Sequence, residues 1–230
     1  MCGGNGMDLL EAIYERHSVR SYKDKKIDGE VLNELQHFIS QCNEDSGLSI
    51  QLCLNEPKAF TGMMAKFMRF NNANNYIALV GKESDDLSEK CGYYGEKIVL
   101  KAQQLGLNTC WVAVTFSKSQ AQKVIKLNAD EKLLIVIAIG YGETNGTSHK
   151  VKPIEELSNI NELKDVPEWF LNGMKAAQLA PTARNQQKFR FELHKDEVKS
   201  YSGSGAYTKV DLGIAKYHFE IGSGKNIFKK

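Results

Sequence analysis

The sequence has few of the features that mark several classes of protein. Its 230 residues include 4 prolines, 2 tryptophans and 5 cysteines, and no two cysteines are spaced as CxxC. The 5 histidines form no HExxH or similar ligand pattern. No apolar run approaches the roughly 20 residues that cross a bilayer. We therefore expect no metal site, no disulfide framework, no membrane association and a reducing, cytoplasmic location.

Neither basic nor acidic residues predominate in the sequence. The 30 basic and 28 acidic residues leave a formal net charge of +2, without a long basic run. This balance argues against nucleic acid as the main partner. The remaining composition, 42% hydrophobic and 25% charged, is ordinary for a globular protein of one large or two small domains. Residues 1–6, which lack an apolar core, are predicted to be a flexible leader rather than a signal peptide.

The stretch from 15 to 22 concentrates side chains suited to a ligand. Apolar residues at helical spacing predict a short helix over 8–15. If the chain beyond it is extended, Arg16, Ser18 and Arg20 share one face, because alternate side chains of extended backbone point the same way. Two guanidiniums flanking a hydroxyl suit a phosphate and a polyol. The alternative is a solvated basic turn.

Hydrophobic periodicity divides the rest of the chain into helices and short strands. The nearly all-apolar run 133–139 is predicted to be the central strand, buried on both faces. Other strands are predicted at 50–54, 76–80, 108–112 and 189–193. Helices are predicted from 28 to 39, 87 to 105, 117 or 119 to 127, 167 to 180 and 211 to 221, and a flexible turn at 201–205.

The methionine- and phenylalanine-rich stretch 60–70 allows two interpretations. Its apolar side chains could form a pliable wall of a ligand pocket, because methionine fills irregular gaps. Ordinary core packing is the prediction that we adopt.

A faint internal repeat relates the two ends of the chain. Helix 30–40 with strand 50–54 resembles helix 167–180 with strand 189–193. Gly95 and Gly106 frame the long helix, and Gly213 and Gly224, equally far apart, frame the last one. We interpret this pattern as a partial duplication.

Four segments carry a resemblance to a known family. Residues 16–20, Arg-His-Ser-Val-Arg, resemble the opening motif Arg-Arg/His-Ser-x-Arg/Lys of the FMN-dependent nitroreductase superfamily. Residues 180–187 resemble its Ala-Pro-Ser-x-x-Asn-x-Gln segment, although Lys188 and Phe189 replace the Pro-Trp that usually follows. Residues 106–111 resemble its Leu-Gly-x-Thr-Cys-Trp segment, and residues 150–153 its basic pair before a proline.

The resemblance implies an α+β, nitroreductase-like fold with a central mixed or antiparallel sheet flanked by helices. One departure concerns the order of motifs. The asparagine motif usually follows the second helix, where 40–45 now stands, but here it lies late in the chain. The chain therefore resembles a single-chain subgroup, with a core over 7–153 and a partial repeat over 154–230. Such a pseudo-dimer implies a monomer, or a dimer that does not share its flavin sites.

The resemblance also implies roles for individual residues. Arg16 and Lys150 or Lys152 would hold the FMN phosphate, Ser18 the ribityl chain, and Arg20 the pyrimidine edge, where reduction places negative charge. Thr182 and Asn185 would bind from the other side, with Gln187 a weaker candidate. The implied cofactor-binding set is Arg16, His17, Ser18, Arg20, Lys150, Lys152, Pro181, Thr182, Asn185 and Gln187.

Each role has an alternative in the residues themselves. Thr182 and Asn185 could cap the turn after Pro181, and Lys150 could be a solvated loop charge. The implied activity is ping-pong reduction of nitroaromatic, quinone or similar electron-poor small molecules by NADH or NADPH. No dedicated catalytic side chain is needed, since the flavin does the chemistry. The alternative function is a flavin-binding sensor or interaction module without efficient turnover.

Overall fold

A computed structural model of the protein describes residues 6–228, without the side chains of Met64 and Lys66. Residues 1–5, and with them most of the predicted leader, lie outside the described residues. Short 3-10 turns occur at Pro57–Phe60, Ile160–Glu162 and Ala183–Asn185. The helices and strands are α1 (Leu9–Glu15), α2 (Gly29–Ser46), β1 (Gln51–Cys53), α3 (Met63–Phe67), β2 (Tyr76–Lys82), α4 (Leu87–Gln104), β3 (Asn108–Val112), α5 (Lys118–Gln122), β4 (Glu131–Gly140), α6 (Ile154–Leu157), α7 (Glu168–Ala177), β5 (Phe189–His194), β6 (Glu197–Ser202) and α8 (Thr208–Ser223).

Four strands form the central sheet, in the order β1-β2-β4-β3, and every neighbouring pair is antiparallel. Strand β4 lies inside this sheet, as its apolar sequence predicts. Its Ile135 and Ile137 face a core built with the helices, while Val136 and Ala138 face a second core on the other side. The predicted central strand and the antiparallel form of the predicted sheet are therefore confirmed.

Local signals set several element ends. The Asp8 carboxylate accepts a hydrogen bond from the Glu11 N–H (2.8 Å) and so caps the start of α1. Gly47 and Gly106 adopt left-handed backbone just after α2 and α4, which lets the chain turn away from each helix.

The most extensive contact between two elements joins α4 to α8, which are far apart in sequence. A Cβ on Gly92 of α4 would lie 2.0 Å from the Val210 carbonyl oxygen, and one on Gly213 of α8 would lie 2.1 Å from the Glu89 carbonyl oxygen. The contact is reciprocal. Gly92 contacts the residue three positions before Gly213, and Gly213 contacts the residue three positions before Gly92, as in a two-fold interface. Helix α7 in turn packs on α8, so the C-terminal segment is built onto α4.

This contact changes one detail of the predicted repeat. The glycine that pairs with Gly213 is Gly92, not Gly95. Gly95 instead faces the Trp111 ring, whose nearest atom would lie 2.4 Å from an added Cβ. The duplication itself stays a prediction.

Four other predictions differ from the structure. Helix α2 continues to Ser46, so residues 40–45, which were expected to follow the second helix, form its last part. Strand β6 occupies Glu197–Ser202, where only a turn from 201 had been expected; its outward residues are polar, and the backbone of β5 holds it in place. Helix α5 ends at Gln122 rather than at 127. Core packing is confirmed for Phe60 but is wrong for Met63 and Phe67, which are 86% and 78% exposed.

Two further properties hold within residues 6–228. No helix there combines the length and apolarity needed to cross a bilayer. No group of three or more histidine, cysteine, aspartate or glutamate side chains is arranged to hold a metal ion.

Substitution of Gly92 by alanine tests the close helix crossing. Alanine favours a helix by about 1 kcal/mol over glycine, but its methyl group would meet a backbone oxygen that cannot rotate away. We expect a net loss of about 1–3 kcal/mol in the free energy of unfolding, measured by urea titration. Gly62→Ala, with no heavy atom within 4 Å of the added Cβ, is the control. Unchanged stability of Gly92→Ala would contradict the crossing.

Candidate functional site

Residues 16–20 run as an extended segment between β3 and the loop after β4. The Val19 N–H donates to the Thr109 carbonyl oxygen (2.9 Å), and Ser18 forms a bridge with the same residue. On the other side, a Cβ on Gly146 would lie 2.9 Å from the His17 Cβ and 3.1 Å from the Ser18 carbonyl oxygen. The loop after β4 therefore lies directly against the arginine segment.

Three side chains of this segment influence the Cys110 thiol. Burial raises the pKa of the Cys110 thiol, while Arg20, Arg16 and a hydrogen bond from Ser18 act in the opposite direction. All three residues therefore influence one thiol, and the predicted shared face stays a prediction. The thiol itself is buried, as expected of a small core side chain.

A clamp of amide side chains joins the basic loop (residues 150–152) to the asparagine motif (residues 180–187). The Gln187 Oε1 accepts from the Lys152 N–H (2.8 Å), and its Nε2 donates to the Lys150 carbonyl oxygen (2.9 Å). The Asn185 Nδ2 donates to the same carbonyl (2.8 Å), and the Gln178 Nε2 donates to the Lys152 carbonyl oxygen (2.6 Å). The two segments, about 35 residues apart, are thereby fixed side by side.

The turn that carries the asparagine motif is strained. Arg184, Asn185 and Gln187 have left-handed backbone, with φ of 53°, 54° and 48°, which costs on the order of 1–2 kcal/mol for each such residue. The Thr182 Oγ1 accepts from the Gln187 N–H (3.0 Å) and so spans the turn. The Ala183 N–H donates to the Asp211 carboxylate (3.0 Å). Strained turns of this kind persist only where the surroundings fix them, and they cluster at ligand clamps.

His149 connects the arginine segment to the clamp. One of its ring nitrogens lies 3.2 Å from the Gln178 carbonyl oxygen. Its pKa is lowered mainly by burial; the bond to Gln178 opposes this, and the nearby charges of Arg16 and His17 lower it further. Residues 16–20, residues 149–152 and the asparagine motif therefore lie in one region of the molecule.

The exposure of the predicted residues varies. Ser18, Lys150 and Asn185 are exposed, whereas Arg16 is only 3% exposed and Gln187 is buried with its amide fully bonded. For Thr182 the structure shows the turn-capping contact that was the alternative to ligand binding. His17, Arg20, Lys152, Pro181 and Thr182 are half-buried.

Unpartnered polar atoms concentrate in this region. Among the described residues, four enclosed side-chain nitrogen or oxygen atoms have no hydrogen-bond partner: Arg16 Nε, Arg20 Nε, Asp211 Oδ2 and Tyr76 OH. The first three belong to the arginine segment or to the residue that holds the motif turn. Because buried polar groups are nearly always paired, such a cluster indicates a site prepared for a polar ligand.

Several residues of this region were not found from the sequence. Asp211 holds the motif turn, and Glu96 and His218 form a buried pair behind Arg16. Each lies on an amphipathic helix as an ordinary polar residue, without a motif. The only sequence signal was the glycine near each pair in α4 and α8, and it does not indicate which polar side chains would meet.

Solved structures define the class of fold. A Thermotoga maritima protein described as a "putative nitroreductase" is similar over 96% of this chain and 86% of its own, with 24% identity and a TM-score of 0.67. A Parabacteroides distasonis "putative NADH dehydrogenase/NAD(P)H nitroreductase" matches over 65% of this chain and 95% of its own (22%, 0.50). A Desulfovibrio desulfuricans "putative nitroreductase in complex with FMN" matches over 69% and 96% (19%, 0.50). The predicted nitroreductase-like fold is confirmed.

The family follows from the sequence itself. The profile of the family described as "Putative TM nitroreductase" matches residues 8–223, and the chain belongs to this family. The match spans both predicted halves of the chain. No curated protein matches the sequence.

The stability of the fold should depend on the ionisation of Asp211. Burial raises the pKa of its carboxyl to about 6, and the Ala183 N–H only partly offsets this. The folded state therefore binds the proton more tightly than the unfolded chain, and stability falls as the pH rises from about 4 to about 6. Asp211→Asn should be neutral near pH 4 and should gain as much as about 3 kcal/mol at pH 7.5, measured by urea unfolding.

The control for this prediction is Asp130→Asn. Asp130 is exposed and bonded to Lys82, which holds the pKa of its carboxyl below the usual value. Its substitution should give no gain at neutral pH. An equal effect of Asp211→Asn at both pH values would contradict the prediction.

Proposed function

We propose that the protein is an FMN-dependent oxidoreductase that transfers electrons from NADH or NADPH to nitroaromatic, quinone or similar electron-poor small molecules. Family membership supports the general class. Similar structures named as an NAD(P)H nitroreductase and as a complex with FMN support the donor and the cofactor. We extend the proposal to a cytoplasmic location, in keeping with the buried thiols of Cys53, Cys91 and Cys110, and to the absence of nucleic-acid and membrane partners.

One observation carries this proposal: the Nε atoms of Arg16 and Arg20, the residues two positions before and after Ser18, are enclosed and have no hydrogen-bond partner. Guanidinium groups are strong donors to phosphate and to other anionic oxygens. The residues present therefore fit a cofactor with a phosphate, a polyol chain and an edge that gains negative charge.

We assign the residues by the hydrogen-bonding groups that each could offer to the cofactor. Arg16 and Lys150 or Lys152 would hold the phosphate, Ser18 the ribityl chain, and Arg20 the pyrimidine edge. Pro181, Thr182 and Asn185 would close the other side, with His17 beside Arg16. Gln187 would act through the loop it clamps, because its own amide is already bonded. When bound, the flavin supplies the electron-transfer chemistry.

The purified protein should be yellow and should release FMN on denaturation. Anaerobic stopped-flow mixing with NADH and with NADPH should bleach the flavin, and a panel of acceptors should restore the colour. Bleaching that is absent or very slow, with FMN still bound, would favour the alternative of a flavin-binding module without efficient turnover. A colourless protein that does not take up added FMN would contradict the proposal.

We also propose that one chain supplies both walls of one site, in a monomer or in a dimer that does not share its sites. The clamp between 150–152 and 185–187 lies within a single chain and supports this. Arg16→Ala and Asn185→Ala should each weaken FMN binding, and mixing the two variants should not restore it. Recovery of binding on mixing would mean that chains complete each other's sites.

A further inference from the structure

A buried carboxylate lies behind the candidate site with both of its oxygens occupied. Glu96 of α4 is 0% exposed. Its Oε2 accepts a hydrogen bond from the Trp111 Nε1 of β3 (2.9 Å), and its Oε1 lies 2.8 Å from the His218 Nε2 of α8. A buried charge is tolerated only when it is paired and hydrogen-bonded, so these two partners account for its presence.

Both ring nitrogens of His218 lie close to oxygen atoms. The His218 Nδ1 lies 3.1 Å from the Ala176 carbonyl oxygen, and its Nε2 lies 2.8 Å from the Glu96 Oε1. The imidazole therefore bridges α7 and α4 and occupies this carboxylate oxygen.

Arg16 lies near the Glu96 carboxylate but forms no hydrogen bond with it. Its Nε is 3.8 Å from the Glu96 Oε1, too far for a hydrogen bond, and has no other partner. The oxygen it approaches is the one that His218 occupies. No other carboxylate in the described part of the chain forms an ion pair with Arg16. The Arg16 Nε–H is thus left without an acceptor beside a carboxylate oxygen that His218 already occupies.

We propose that His218 and Trp111 are positioning residues that keep Glu96 from capturing Arg16, so that Arg16 stays available to a phosphate in the candidate site. The proposal deepens the proposed function and rests on it. Two sets of donors compete for the Glu96 carboxylate. The Glu96 oxygens can bond either to His218 and Trp111 or to Arg16, and the fold of the C-terminal segment decides the outcome by placing His218 on α8.

Binding of FMN and of riboflavin to the flavin-free protein, followed by flavin fluorescence, separates the phosphate contribution from that of the ring. His218→Gln removes the imidazole from the Glu96 oxygen nearest Arg16 and should weaken FMN binding by at least about tenfold, the value of one charge-assisted bond, with riboflavin unchanged. His194→Gln, at an exposed imidazole 3.2 Å from the Glu192 carboxylate, is the matched control and should bind both flavins normally.

A double variant distinguishes this role from general damage. Glu96→Gln combined with His218→Gln removes both the carboxylate and its partner, and should restore FMN binding to within about twofold of wild type, the usual limit of additivity. A purely structural role predicts a double variant at least as impaired as His218→Gln. Trp111→Phe gives a second route if His218→Gln does not fold: it frees the other oxygen and should also weaken FMN alone, and Glu96→Gln should reverse the effect.

The outcomes separate the two proposals. Wild-type protein that binds no FMN overturns the proposed function and this inference together. Wild-type protein that binds FMN while His218→Gln binds it equally well overturns the inference alone. Equal loss of FMN and riboflavin, or a double variant that is not restored, also overturns it.

Discussion

The close approach of α4 and α8 at Gly92 and Gly213 is the contact on which the rest of the structure depends. Without a side chain at either position, the two backbones come near enough for residues one turn further along to meet inside the protein. Glu96 lies four residues after Gly92, and His218 five residues after Gly213. Asp211, two residues before Gly213, reaches the motif turn through Ala183. The absence of side chains at these two glycines thus lets the Glu96–His218 pair and Asp211 reach the same region.

The sequence allowed the layered part of this fold to be predicted because its signals are local. The apolar run of β4 can only be buried on both faces, and Gly106 ends α4 by its left-handed backbone. Strand β6 was missed because Glu197, Lys199 and Tyr201 give it a polar outer face, and only pairing with β5 makes it a strand. Exposed Met63 and Phe67 were missed because residue type does not reveal which side of a short helix faces outward.

For the candidate site, the motifs identified the segments but not the contacts that each residue within them makes. Arg16, Ser18 and Arg20 all influence the Cys110 thiol, but they differ in exposure, which alternation along the chain does not indicate. The amide of Gln187 instead binds loop backbone. Arg16 is buried beside Glu96, and the partner of this carboxylate, His218, lies 122 positions further along the chain. Such a contact leaves no trace in local spacing, because both partners are ordinary members of amphipathic helices.

The amide clamp has a consequence for how the region assembles. Since residues 150–152 and 185–187 belong to one polypeptide, their encounter is intramolecular, and its equilibrium is governed by an effective concentration set by the intervening chain. Helices α6 and α7 and the turn between them hold that chain in a fixed path. The closed arrangement is therefore insensitive to dilution, and a cell can make very few copies of this protein without opening the clamp.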